Sequence, residues 1–73
     1  MNDDEDLRAE ELALRVRLVG LRQQHLDLDA AVAALQAQPQ PDMIQIARLK
    51  KRKLGLRDEI AALDDAVTPD IIA

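Results

Sequence analysis

Leucine returns at every seventh position from Leu7 through Leu14, Leu21 and Leu28 to Leu35, with Leu18, His25 and Val32 interleaved between them. Spacings that alternate between three and four place side chains along one edge of an α-helix, the a and d positions of a heptad. Glu11 falls on the a position before Leu18 and interrupts the seam, so the heptad is read from Leu14 onward. A second run shows the same alternation: Ile46, Leu49, Lys53, Leu56, Ile60, Leu63 and Val67. Gln38-Pro39-Gln40-Pro41-Asp42 lies between the two runs. Proline there ends the first helix, and Gln38, preceding Pro39, is disfavoured from helical geometry. The pattern predicts a helix over about residues 3 to 37, a turn at 38–42, a second helix over about 43 to 67, and a short tail at 68–73, all in one domain spanning 1–73.

The two runs mirror each other about the turn. Counting outward from residues 40 and 41 sets Leu35 opposite Ile46, Val32 opposite Leu49 and Leu28 opposite Lys53. Further out, His25 meets Leu56, Leu21 meets Ile60, Leu18 meets Leu63 and Leu14 meets Val67. The predicted fold class is therefore all-α, an antiparallel two-helix coiled-coil hairpin. Asp42 followed by Gln45 reads as a capping box for the second helix, with Pro41 placed to staple against Ile46. Asn2 or Asp3 is the expected cap of the first helix, whose opening acids oppose the positive end of its dipole. Pro69, preceded by Thr68, closes the second helix. Flanking e positions place Arg15 opposite Asp64, Asp29 opposite Lys50, and the like-charged Arg22 opposite Arg57.

The seam leaves apolar residues over. Leu12, Val19, Leu26 and Ala33 occupy b positions on helix 1, and Ala47, Leu54 and Ala61 do so on helix 2. A free hairpin would hold that stripe in water, and a contiguous apolar strip usually marks a partner surface. Two hairpins packed as a multi-helix bundle would cover it, so a homo-oligomer is the expected state. Gly20 and Gly55, at outward c positions, cost helix propensity. Ile71 and Ile72 give the tail a small apolar surface of its own.

Composition narrows the chemistry. With 73 residues the chain makes one small domain, and small scaffolds need disulfides, a metal or oligomerisation to stand alone. It has no Cys and one His, which excludes disulfides, thiolate sites and a multi-histidine metal site within one chain. Aromatic residues are absent, so no stacking platform for bases or sugars exists. No apolar run approaches the ~20 residues that span a bilayer, and the start Asp3-Asp4-Glu5-Asp6 is opposite in charge to a targeting signal. A cytoplasmic protein with no membrane contact is the expectation. Net charge is −4, so any affinity for nucleic acid would have to be local.

One local basic stretch exists. Arg48, Lys50, Lys51, Arg52, Lys53 and Arg57 follow one another with no acid among them. The heptad turns Lys53 into the seam and sets Lys50 and Arg57 beside it, leaving Arg48, Lys51 and Arg52 as an outward basic face. Such a face can bind phosphates, although no base-reading motif accompanies it. His25 and Lys53 are the polar members of the seam. A polar layer there fixes register and oligomeric state, and Lys53 can run its stem along the core and lift its ammonium toward Asp29 or Asp27. Nothing resembles an active site. The sequence has no Ser, no Gly-rich phosphate loop, and acids such as Asp58-Glu59 that point about 100° apart on a helix.

Leu49 through Ile60, with its Lys50-Lys51-Arg52-Lys53-Leu54-Gly55-Leu56-Arg57-Asp58-Glu59 core, His25-Leu26-Asp27-Leu28-Asp29 on helix 1 and Pro41-Asp42 at the turn resemble the YdcH-like family of small bacterial proteins of unknown function. The resemblance runs over roughly residues 18 to 63. That family usually carries Glu before its His, where this chain has Gln24, and commonly Lys where this chain has Arg57. It implies a cytoplasmic helical hairpin and no known activity, cofactor or small-molecule substrate. The expected function is a non-enzymatic, self-associating protein-interaction module with an unidentified protein partner. The rival is a small nucleic-acid-associated protein acting through Arg48, Lys51 and Arg52.

Overall fold

The structure, a computed structural model, describes residues 3–67. The capping role expected of the Asn2 and Asp3 side chains, and the tail with Thr68, Pro69, Ile71 and Ile72, lie outside what is described. Two helices form the fold, α1 over Asp3–Gln36 and α2 over Met43–Val67. They fold back on each other in a slab of 59 × 28 × 15 Å. Among the described residues there is no strand.

The elbow follows its sequence signals. At the end of α1, the Ala37 amide still donates four residues back to the Ala33 carbonyl at 3.1 Å, but the Gln38 amide donates to Leu35 at 3.2 Å, three residues back. That tightening ends the helix at Gln36, one residue before the expected boundary. At the start of α2, one carboxylate oxygen of Asp42 accepts from the amides of Ile44 and Gln45, each at 3.1 Å. The Asp42 carbonyl takes the Ile46 amide at 3.0 Å. Asp42 is therefore the N-cap, satisfying amides that have no partner inside the helix. The turn does this without a left-handed residue among those described.

Burial follows the heptad. Leu18, Leu21, Val32, Ile46, Leu56 and Val67 are buried, and Ile46, just past the elbow, is the most enclosed at 2% exposed. Leu14, His25, Leu28, Leu35, Leu49, Lys53, Ile60 and Leu63 are half-buried. Every seam position from Leu14 on is thus withdrawn from water, and outside the seam only Ala31 and Pro41 join them among the described residues.

The helices differ in length, 34 residues against 25. Since Val67 lies across from Leu14, the first three turns of α1 project past α2, an overhang of about 16 Å at ~1.5 Å per residue. Leu7 shows the consequence. It continues the d series of α1, yet it is 63% exposed because no α2 residue lies across from it.

Candidate interaction surfaces

Three surfaces around this seam carry the residues singled out from sequence. The first is the polar layer. His25 and Lys53 are half-buried, one on each helix. The Lys53 ammonium reaches out of the seam and donates to the Asp29 carboxylate at 2.8 Å, joining the helices by a charge-assisted hydrogen bond. Its side chain is 28% exposed and that of Asp29 61%, so the stem is sheltered and the bridge itself is wet. The hydrogen bond from Lys53, then its charge, hold the Asp29 carboxyl below its ordinary value, with a smaller contribution from His25.

The flanking charges depart from the expected partners. Arg15 holds Glu11 within α1 at 2.9 Å, and Asp64 takes Arg22 at 3.3 Å. Asp29 takes Lys53 rather than Lys50. A further pair joins Arg17 to Glu59 at 3.8 Å. The cause is the tilt of helical side chains toward their own N-terminus. In an antiparallel pair, Arg22 leans toward the Asp64 layer while Arg57 leans the other way along α2. The two arginines that the heptad sets opposite each other are carried apart. All these pairs are exposed and each contributes little to stability.

The second surface is the flank on which the e and b positions of both helices lie side by side. Its apolar members are bare in the single chain: Leu12 63%, Val19 68%, Leu26 61% and Leu54 55% exposed. Arg8, Arg15 and Arg22 run beside them at e positions of α1. An open groove of about 380 Å³, lined by Arg22, His25, Leu26, Arg57 and Ile60, lies on this flank. Its walls are mostly apolar, with two guanidinium groups at the margin. A smaller groove next to it is lined by Arg15, Leu18, Val19, Arg22, Asp64 and Val67. Met43 and Ile44 are also exposed, beside the elbow.

The third surface is the basic face. Arg48, Lys51 and Arg52 are exposed and make no ion pair among the described residues. They lie around the back and far flank of α2, with Arg52 bordering a groove shared with Leu21, Gln24, Gly55, Leu56 and Glu59. Glu59 in that groove partly offsets their charge.

Among the described residues, no cluster of His, Cys, Asp or Glu is arranged to hold a metal ion. No described helix is long and apolar enough to cross a membrane. Sequence reasoning located the stripe and the basic face but missed the overhang. The missing signal was arithmetic: the a and d series of α1 begins well before the position that faces the end of α2.

A family model described as "Protein of unknown function (DUF465)" matches residues 19–64, well over half of the chain. The match contains the elbow, both polar seam residues and the basic stretch, and it leaves out the α1 overhang. No curated protein and no solved structure matches.

Proposed function

Because the chain belongs to the DUF465 family, the YdcH-like proteins of unknown function, we propose its role from its surfaces: a non-enzymatic, self-associating interaction module of the cytoplasm. The observation that carries this is the bare stripe of Leu12, Val19, Leu26 and Leu54, each more than half exposed in the isolated chain. Exposing several large apolar side chains on one flank is costly to a monomer. The buried core behind it is small, with six buried side chains among the described residues. A chain this short has little surplus stability from one seam. Covering the stripe with a second hairpin removes it from water at roughly 25 cal/mol per Å² and completes a four-helix arrangement. The basic face remains outward in that arrangement and is available to an acidic protein partner.

Thermal melts at several protein concentrations test this. If folding is coupled to association, the melting temperature rises with chain concentration, as mass action requires. A melting temperature independent of concentration over two or three decades refutes the proposal.

Arg48, Lys51 and Arg52, which make no ion pair among the described residues, favour a second reading, contact with nucleic-acid phosphates. That reading requires a mobility shift that weakens steeply from low to moderate salt. Apolar association does not share that dependence.

A further inference from the structure

Resting on the self-association just proposed, we propose that the occupant of the stripe is a second copy of this chain, with the two α1 helices antiparallel and crossing at Val19. Three separate features meet in this arrangement. Val19 lies at the middle of α1, which runs Asp3–Gln36, so antiparallel packing about it pairs that helix along its whole length, overhang included. The exposed leucines lie symmetrically about it, one heptad to either side, so Leu12 of each copy meets Leu26 of the other while Val19 meets itself. Charge gives the third. The overhang is acid-rich, and in this register it runs alongside the part of the second copy's α2 where Lys50 lies on the stripe flank, while Arg48, Lys51 and Arg52 stay outward.

The same register accounts for a residue that broke the heptad. Glu11 sits at an a position, where a leucine would be expected, and borders a groove with Leu14, Ala66 and Val67 at the end of α2. Its side chain is exposed and held by Arg15 at 2.9 Å. In the paired state it comes beside Arg57 of the second copy, at the margin of the apolar groove. Arg8, at the adjoining e position, comes beside Asp29 of that copy. Crossing instead near Leu26 would also bury apolar surface, but it leaves Leu12, Leu7 and the whole overhang unpartnered. Crossing at Val19 leaves none of α1 unused.

Single cysteines read this directly, because the natural chain contains none. Val19→Cys and Leu12→Cys alter exposed side chains and leave the seam intact, which far-ultraviolet circular dichroism of each variant verifies. On mild oxidation, Val19→Cys should convert most of the chain to a disulfide-linked dimer. Leu12→Cys alone should not, but an equimolar mixture of Leu12→Cys and Leu26→Cys should give the mixed dimer. Ala13→Cys, on the opposite flank of α1, should remain uncrosslinked. In the same assay Glu11→Lys should reduce the Val19→Cys dimer, and adding Arg57→Glu should restore it. A dimer by mass in which Val19→Cys does not crosslink, or in which Leu12→Cys crosslinks to itself, overturns this register while leaving self-association standing. A chain that is monomeric by mass overturns both.

Discussion

At residue scale, Lys53 shows how a charge can sit in a leucine seam. Its four-carbon stem fills the layer opposite Leu28 while its ammonium leaves the core and binds Asp29 at 2.8 Å. The consequence is a pH signature. A carboxylate whose folded value lies below its unfolded value, 3.8 for Asp29, stabilises the fold at higher pH. That contribution is lost as pH falls through the folded value. Acidification should therefore weaken the bridge only below about pH 4, the ordinary carboxylate range, and neutral pH should leave it intact. In an NMR titration, Asp29 should titrate below its ordinary value, and Lys53→Met should move it upward. An Asp29 midpoint unchanged by Lys53→Met would show that the bridge is absent in solution. The turn toward Asp29 was legible in the sequence as one of two options. Choosing Asp29 over Asp27 required the direction in which each helix leans its side chains.

At the scale of the helices, seam and elbow could be read from spacing alone, because burial in a two-helix layer depends on little besides period. Glutamine, proline and aspartate at the turn carry local stereochemistry that acts whatever surrounds them. The ion pairs could not be read the same way. Heptad letters place Arg15 against Asp64, but the Cβ tilt shifts each long side chain by about a turn, and Asp64 receives Arg22 instead. The core makes a sharp prediction. Ile46, 2% exposed at the elbow, should cost about 2–5 kcal/mol when cut to alanine. Ile44→Ala, at a side chain 67% exposed beside the elbow and outside both seam and stripe, should leave stability nearly unchanged. Chemical denaturation of both variants checks the contrast, and equal losses would show that the seam does not hold the fold. The outward glycines give the opposite sign. A Cβ added at Gly20 or Gly55 meets nothing within 4 Å, so each change to alanine should raise stability by up to ~1 kcal/mol. A loss at either position would place a close neighbour against that flank.

At the scale of the whole molecule, the unequal helices matter most. A hairpin whose arms matched would have no overhang, and its stripe would be the only surface in need of cover. Here α1 continues for three turns beyond α2 with an exposed Leu7 and a run of acids. The family match covers residues 19–64 and does not include that segment. Apolar leftovers in the sequence pointed to a companion. They did not by themselves show which arm is longer; that follows from the predicted bounds, with Val67 opposite Leu14 while helix 1 starts at about residue 3. The proposed assembly would supply what a chain without cysteine, with no metal-binding cluster and few buried side chains among the described residues, lacks as a single hairpin.

The most direct measurement is the mass in solution, by multi-angle light scattering on a size-exclusion column, of the natural chain and of Leu26→Glu. The natural chain should elute as one species at an integral multiple of 8.1 kDa. Leu26→Glu, which places a charge in the exposed stripe, should fall to a single chain mass while remaining helical by circular dichroism. A natural chain that stays at 8.1 kDa at every concentration tried, or a Leu26→Glu variant that keeps the mass of the assembly, would contradict the stripe as the contact between copies.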